Sequence, residues 1–438
     1  MLFVFVLLIL TLLAKDATPL GDRYILRALS EGTALLVGCG WLATAGMRGV
    51  TWRHAIIGLY VGALVFAIPQ TTSPLYVALQ IIALVAVVLF SLAFLDASAR
   101  DARLTLYAAR TMLAALTVVC IASLMMRYWY PGVIYEQTFE GLRFRGLFSK
   151  PAMMGAASGL LLGLGLFVAW NWGIKIIAIA ASLPCLVLTG SRTFWAAAIV
   201  SIGAASLRYV RWRGVFLPAG AVLIAAVVSI GIIADVRLTP EQQAKMLRQD
   251  SLENFSGRTS MWTRALQRYR EHPWLGYGFT AGGEAIEEGN RRGTVMLSSQ
   301  SASQGAVTLH NGYLQALLDS GAIGAALYVA VILSALGCFL FYDRDKRYAS
   351  EFYGLLFLAI ANLGETVIFG AAVLHGVWFW YLSVLALTLA LARPSIPLSE
   401  DRACGKQADD ILEPDSHIPA YPSTRRRFPL VQSKEAWS

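Results

Sequence analysis

The chain has 438 residues, of which 57% are hydrophobic and only 14% are charged, and its formal net charge is +9. Soluble domains usually carry about 25% charged residues, so this composition excludes an ordinary soluble enzyme and indicates a polytopic membrane protein. The basic residues are spread over many short loops, which favours loop topology and contact with anionic membrane lipid, and no nucleic-acid partner is predicted.

Apolar stretches recur along the chain, and about a dozen of them approach the roughly 17 to 25 residues that cross a bilayer as a helix. They lie at residues 1–14, 32–47, 54–68, 75–95, 104–126, 151–169, 174–190, 193–207, 215–234, 311–341, 352–367 and 371–392. We therefore predict an all-α integral membrane protein with about 12 transmembrane helices and one large periplasmic loop that contains an amphipathic helix. We interpret the short first stretch as a clipped span or an uncleaved signal anchor, because no basic residues precede it.

The positions of the basic residues predict the orientation of the chain. Arginine and lysine are frequent in the short loops at 48–53, 100–103, 208–213 and 344–347, and with twelve spans all four loops fall on the cytoplasmic side. The predicted regions are transmembrane helices 1 to 9 (1–234), a large periplasmic loop (235–309), transmembrane helices 10 to 12 (310–392) and a disordered cytoplasmic tail (393–438). A solvated tail is favoured over one that binds lipid headgroups, because its arginine cluster, Arg425 to Arg427, is short.

The periplasmic loop is predicted to contain an amphipathic helix that begins near Arg258. Trp262, Leu266 and Tyr269 recur at positions i, i+4 and i+7, so they would share one apolar face. Pro273 is expected to end this helix. We expect the helix to lie on the outer membrane surface or to cap the bundle of spans.

Three basic residues are brought to the same outer face by this topology. Arg192 lies in a short turn between two spans, Arg258 lies at the start of the amphipathic helix, and His310 lies where the large loop returns to the membrane. Two arginines near one site can clamp a phosphate group. A histidine can accept a proton from a hydroxyl group near neutral pH. We therefore predict that these three residues form a catalytic site.

Each of the three has a simpler interpretation when taken alone. Arg192 could snorkel from its turn, Arg258 could be a solvated residue of the first helical turn, and His310 could be an interfacial residue that caps the next helix together with Asn311. Glu365, a carboxylate at the membrane boundary, is a secondary candidate, as the partner of an arginine or of His375.

No metal site and no cofactor are predicted. The five cysteines form neither a Cys-x-x-Cys pair nor a disulfide framework. No group of histidines, cysteines or carboxylates has the spacing of metal ligands.

Four motifs stand out between residues 143 and 324. The motif HN-x9-GxxG spans His310 to Gly324, and the segment that precedes it, Gly257 to Phe279, carries GRTSMW and HPWLGYGF. The turn GSRTFW spans Gly190 to Trp195, and RFRGLFSKPAMMG spans Arg143 to Gly155. These motifs resemble, in the same order, those of bacterial O-antigen ligases and the related O-antigen and exopolysaccharide polymerases. In many relatives an asparagine follows the Arg-x-Gly-x-Phe stretch that the fourth motif resembles, where this chain has Pro151, Ala152 and Met153.

The resemblance implies transfer of a glycan from an undecaprenyl diphosphate carrier to an acceptor hydroxyl at the periplasmic face of the bacterial inner membrane, with no metal required. In this chemistry Arg192 and Arg258 would stabilise the diphosphate leaving group, and His310 would orient or deprotonate the acceptor. A single displacement would invert the anomeric carbon. The residues expected to contact substrate are Arg143, Arg145, Arg264, Asn311 and Tyr313.

The expected partners are the undecaprenyl-diphosphate-linked oligosaccharide, a glycan or lipid A–core acceptor, membrane lipid and other polysaccharide assembly proteins. Polymerisation of a lipid-linked repeat unit is slightly favoured over ligation to lipid A–core, although the sequence does not name the acceptor. The alternative outside enzymology is a polysaccharide-precursor transporter or flippase. That alternative predicts charged residues near the membrane midplane and broken helices in paired positions.

Overall fold

The computed structural model describes residues 1–17, 23–45, 50–101, 103–138, 141–209, 258–283, 286, 309–344, 346–367 and 373–389. The helices before the large loop are α1 (Leu2–Ala17), α2 (Arg23–Ala45), α3 (Ala55–Phe66), α4 (Pro74–Arg100), α5 (Arg103–Trp129), the short α6 (Pro131–Ile134), α7 (Pro151–Phe167), α8 (Trp172–Leu188) and α9 (Arg192–Tyr209). The later helices are α10 (Arg258–Tyr269), α11 (Gly312–Tyr342), α12 (Ala349–Ala361) and α13 (Leu374–Leu389). Two 3₁₀ turns, Trp52–His54 and Ile68–Gln70, flank α3.

The described residues are mostly helical and apolar, as an all-α membrane protein requires. By length and composition, the stretches long and apolar enough to cross a membrane are Trp52–Gln70, Pro74–Arg100, Arg103–Trp129 and Gly312–Tyr342. Shorter apolar helices are Leu2–Leu13, Pro151–Phe167, Trp172–Leu188, Ala349–Ala361 and Leu374–Leu389. The predicted span at 215–234, most of the predicted 235–309 loop and the predicted tail at 393–438 lie outside the described residues. The total of about twelve spans therefore stays a prediction.

A small β-hairpin, which we did not predict, follows α6. Strands β1 (Tyr135–Thr138) and β2 (Gly141–Phe144) pair antiparallel, with Tyr135 opposite Phe144 and Glu136 opposite Arg143. The rings of Tyr135 and Phe144 pack with their centroids 5.6 Å apart, a cross-strand aromatic pair that stabilises such a hairpin. The hairpin places Arg143 on β2, at the end of the bundle where α9 begins, because the Arg143 side chain reaches Thr189.

Helix α7 brings α9 and α12 together through glycines spaced four residues apart. Gly155 lies against the ring of Phe194 in α9, and Gly159 lies against the ring of Phe357 in α12. A Cβ atom at either glycine would collide with the facing ring. This close packing holds the start of α9, which carries Arg192, beside the end of α12.

Helix α11 bends sharply at Gly321, where the backbone is left-handed, with φ of 64° and ψ of −171°. The residues after the bend, 322–342, form about 30 Å of helix, which is enough to cross a bilayer by itself. The residues before the bend, 312–320, therefore form a separate short helix that starts next to His310. A side chain at Gly321 would collide with the backbone of Trp274, so only glycine fits the bend.

The chain after α10 is hydrogen-bonded to this bend. The Ala322 N–H donates to the Pro273 carbonyl over 2.8 Å, and the Gly278 N–H donates to the Asp319 carbonyl over 2.8 Å. The buried Asp319 carboxylate accepts from the N–H groups of Thr280 and Gly282 at 2.9 and 2.8 Å. Residues 273–282, which follow α10, and the short helix are therefore one hydrogen-bonded unit.

The apolar face of α10 is rotated from the predicted one. Ala265 is fully buried in a small cluster with Leu309 and Leu318, with Met261 and Tyr269 packed against it, whereas Leu266 is 46% exposed. Of the three residues of the predicted apolar face, Tyr269 packs against this cluster, whereas Leu266 does not lie in it. The residues in this cluster, Met261, Ala265 and Tyr269, recur at i, i+4 and i+8. A step of one residue along a helix turns the side chain by about 100°, so this row lies to one side of Trp262 and Leu266.

Candidate functional site

The site is built on a turn that follows α12. The apolar pattern predicted a span as far as residue 367, but the helix ends at Ala361, and residues 362–367 turn back across its end. The Glu365 N–H donates to the Ala361 carbonyl over 3.0 Å. The turn directs Glu365 inward, and this residue is only 2% exposed.

His310 approaches from the other side, immediately before the short first part of α11. Asn311 caps that helix, because its side-chain oxygen accepts from the N–H groups of Tyr313 and Leu314 at 3.1 and 3.0 Å. His310 itself has a left-handed backbone with φ of 50°, which is uncommon outside glycine. The preceding Leu309 carbonyl accepts from the indole N–H of Trp262 over 2.8 Å, so α10 holds this strained residue in place.

Glu365 connects His310 with Arg258. One carboxylate oxygen of Glu365 lies 2.8 Å from Nδ1 of His310, and the other lies 3.1 Å from a terminal nitrogen of Arg258. The second terminal nitrogen of Arg258 donates to the Gly364 carbonyl over 2.7 Å. The side chains of Arg258 and His310 are 16% and 37% exposed, whereas that of Glu365 is 3% exposed. Of the three, His310 is therefore the most accessible to a substrate.

The charges around Glu365 keep it ionised. Burial would raise the pKa of this carboxyl group, but the hydrogen bond with His310 and the positive charges of His310, Arg258 and Arg143 outweigh burial, so the pKa lies below its ordinary value of 4.5. A carboxylate that stays negative beside an imidazole stabilises the imidazolium that forms when the histidine accepts a proton.

The pairing also decides which ring nitrogen of His310 can act as a base. In the tautomer in which Nδ1–H donates to Glu365, the lone pair lies on Nε2, at the opposite edge of the ring. Because the side chain is 37% exposed, this arrangement suits proton transfer from a hydroxyl group that approaches Nε2.

Two further predicted arginines lie close to this group. Arg143 donates from Nε to the Thr189 carbonyl over 3.1 Å, and its charge contributes to the lowered pKa of Glu365. Arg192 is the exposed first residue of α9. Its neighbour Thr193 packs so closely on Gly364 that a Cβ atom there would collide with the threonine side chain. The turn that carries Arg192 therefore abuts the turn that carries Glu365.

The remaining predicted residues have other observed contacts. Arg145 donates to the Val133 carbonyl over 2.9 Å, and the Tyr313 hydroxyl donates to the Ala359 carbonyl over 2.8 Å. The Asn311 oxygen serves as a helix cap. Arg264 lies six residues after Arg258 on α10, so the two arginines leave the helix on different faces. Their predicted contacts with substrate stay predictions.

Glu365 is only a secondary candidate from its sequence position, although the structure puts it at the centre of the group. The sequence does indicate a role for Glu365, because a carboxylate at the edge of an apolar stretch needs a partner, and an arginine is one of its two predicted partners. What the sequence could not show was that Glu365 contacts Arg258 and His310 together, because these residues come from segments 55 and 107 residues away along the chain.

The lowered pKa of Glu365 predicts how replacement by glutamine changes the dependence of stability on pH. Because the folded-state pKa lies below 4.5, the stabilisation is fully present above pH 4.5 and is lost as the pH falls through the folded-state pKa. The thermal unfolding midpoint of the wild type in detergent should therefore fall more steeply below pH 4.5 than that of Glu365→Gln.

The matched control for this comparison is Glu271→Gln, because the side chain of Glu271 is 50% exposed in its contact with Arg268. The pKa of Glu271 is also lowered, by hydrogen bonds from Tyr277 and Arg268, but solvent screens an exposed group, so this variant should depart from the wild-type curve less than Glu365→Gln does. Parallel curves for wild type and Glu365→Gln would contradict the proposed electrostatic role of Glu365.

A comparison with known protein families matches part of the chain. Residues 176–329 match the family model described as O-antigen ligase. The matched segment contains Arg192, Arg258 and His310, whereas Arg143 and Glu365 lie outside it. No curated protein matches the chain. The matched segment contains three of the four motifs, all except RFRGLFSKPAMMG, and supports the resemblance that they indicate.

Proposed function

Because residues 176–329 belong to the O-antigen ligase family, which acts in polysaccharide and lipopolysaccharide biosynthesis, we propose that this membrane protein transfers a lipid-linked glycan to an acceptor hydroxyl group. The observation that carries the proposal is the contact of Glu365 with both His310 and Arg258. It joins a candidate base to a candidate anion-binding group within one site.

In the proposed reaction the donor is a glycan on undecaprenyl diphosphate, and its diphosphate leaves with additional negative charge. Arg258 and Arg192 stabilise that charge, with Arg143 close by, and these guanidinium groups take the place that a metal ion has in other glycosyl transfers. Arg258 is held in a fixed position by Gly364 and Glu365, so it needs little reorganisation when the charge develops.

The acceptor hydroxyl is activated by His310 in this proposal. Nε2 takes the hydroxyl proton while the oxygen attacks the anomeric carbon, the bond to the diphosphate breaks, and the imidazolium is stabilised by the Glu365 carboxylate. A single displacement of this kind inverts the configuration at the anomeric carbon. Tyr313, Asn311, Arg145 and Arg264 remain candidates for contacts with the two glycans.

We place the site at the periplasmic face of the bacterial inner membrane, with the 235–309 loop outside and the 393–438 tail in the cytoplasm. This orientation follows from the distribution of basic residues in the short loops. Within the family we favour polymerisation of a lipid-linked repeat unit over ligation to lipid A–core. Other polysaccharide assembly proteins are expected partners.

The experiment uses purified protein in lipid vesicles with a lipid-diphosphate-linked oligosaccharide from the host organism and with EDTA present. The acceptor is either a second copy of the donor or lipid A–core. We expect a ladder of products on the carrier, and inverted anomeric configuration in each new linkage. A single transfer to lipid A–core would instead establish a ligase. Movement of the donor across the vesicle membrane without any new linkage would overturn the proposal in favour of a transporter.

A further inference from the structure

Asn362 is the first residue of the turn that carries Glu365, and it is completely buried. Its carbonyl accepts from the Gly312 N–H over 2.8 Å. Its side-chain oxygen accepts from the Val367 N–H over 3.2 Å, and its side-chain nitrogen donates to the Tyr328 hydroxyl over 3.1 Å. Backbone and side chain of this one asparagine are therefore both engaged.

The two backbone N–H groups bonded to Asn362 each lie two residues after one member of the histidine–carboxylate pair. Gly312 comes two residues after His310, and Val367 comes two residues after Glu365. The two segments meet so closely that a Cβ atom on Gly312 would collide with the Asn362 side chain. The Tyr328 hydroxyl, from the part of α11 that follows the bend, fixes the orientation of the asparagine amide. Asn362 thus connects the start of the short helix, through hydrogen bonds, to the turn at residues 362–367.

The consequence concerns the distance between His310 and Glu365. The His310 backbone is left-handed and the Glu365 side chain is buried, so neither residue can move far by itself to restore a lost contact. A displacement of about 1 Å in a catalytic arrangement can cost roughly a hundredfold in rate.

We propose that Asn362 is a positioning residue that sets the contact between His310 and Glu365. The inference rests on the proposed function, because it assigns a role within that same site. Asn362 makes no contact with the reacting groups in this account, and it acts only through the two segments that it joins.

A double-mutant cycle separates this role from a general contribution to folding. Asn362→Ala should lower kcat by about 10- to 100-fold and change the KM for the lipid-linked donor by less than about threefold. In the Glu365→Gln background the same substitution should lower kcat by less than about threefold, because the contact that Asn362 positions is already lost. Equal losses in both backgrounds, or a loss confined to KM, would overturn the proposal.

Tyr328→Phe provides a second variant if Asn362→Ala does not fold. It removes only the hydroxyl that orients the asparagine amide and keeps the packing of the ring. We expect a smaller loss of kcat that again disappears in the Glu365→Gln background.

The matched control is Tyr353→Phe, which removes another buried hydroxyl, bonded over 2.8 Å to the Gly159 carbonyl within the bundle. This control should lower the unfolding midpoint without changing kcat. Equal kcat losses in both tyrosine variants would contradict the proposal.

The same assays distinguish failure of this inference from failure of the proposed function. If the wild type moves the donor across the membrane without forming any new linkage, the proposed function is wrong. If His310→Ala and Glu365→Gln retain full transfer activity, their proposed catalytic roles are wrong. In either case the positioning role of Asn362 falls as well. If both variants lose activity while the effect of Asn362→Ala is additive with Glu365→Gln, the proposed function stands and only the role of Asn362 is refuted.

Discussion

Replacement of His310 by alanine should lower the rate of glycan transfer by roughly 10²- to 10⁴-fold, the usual contribution of a positioned general base. The imidazole is the accessible member of its group, and its Nδ1 is held 2.8 Å from a buried carboxylate. Loss of the ring removes the proton acceptor but leaves Arg258 and Glu365 in contact, so binding of the lipid-linked donor should persist. The measurement is single-turnover transfer in vesicles together with direct binding of the donor.

His272→Ala is the matched control for this experiment. His272 lies in the segment that follows α10. Its ring packs against Tyr277, with the centroids 4.7 Å apart, and it is not among the residues described above as contacts of Glu365. Its replacement should leave the transfer rate within about threefold of wild type, as for most substitutions outside a functional site. Equal losses in the two histidine variants, or no loss in His310→Ala, would show that His310 is not the base.

Replacement of Arg258 by alanine should lower the transfer rate by about 10²- to 10³-fold, as expected when one preorganised group that stabilises developing charge is removed. In contrast to His310→Ala, this variant should also weaken donor binding, because the guanidinium would already contact the diphosphate in the ground state. Arg258→Lys keeps a positive charge but cannot reproduce the fork that binds both Gly364 and Glu365, so its loss should be intermediate.

Arg270→Ala controls for the loss of a positive charge near α10, the helix that Arg258 begins. Arg270 is exposed and follows the end of α10, where solvent and salt screen its charge. Donor binding and transfer should both stay close to wild-type values in this variant. If Arg258→Ala behaves like Arg270→Ala, the diphosphate is bound by other groups, and the proposed role of Arg258 must be abandoned.

The convergence of His310 and Arg258 was predictable from the sequence for a simple physical reason. A membrane restricts each apolar stretch to crossing the bilayer, so the order of spans and the side preferred by basic residues decide which loop residues share a face. The motif order then indicated the family, which the match over residues 176–329 confirms. The start of α10 at Arg258 and the cap at Asn311 also follow the sequence.

Other features of the site could not be predicted in the same way. The predicted span ran through residues 362–367, although Asn362 and Gly364 are residue types that often end a helix, and the sequence did not show that the turn there buries Glu365. The packed face of α10 is offset by one residue from the predicted apolar face, because the sequence does not show which neighbour the helix packs against. The hairpin at 135–144 was missed because two four-residue strands carry little periodic signal.

The amino-acid sequence was enough to predict the class of the protein, the positions of most described helices, and the presence of basic groups on one face. Composition and hydropathy suffice for this, because the cost of placing polar groups in lipid acts on each segment separately. The folded chain was needed to show that Glu365 links His310 with Arg258, that α11 bends at Gly321, and that Asn362 joins the two halves of the site. These contacts depend on side-chain packing between distant segments, which no local pattern in the chain encodes.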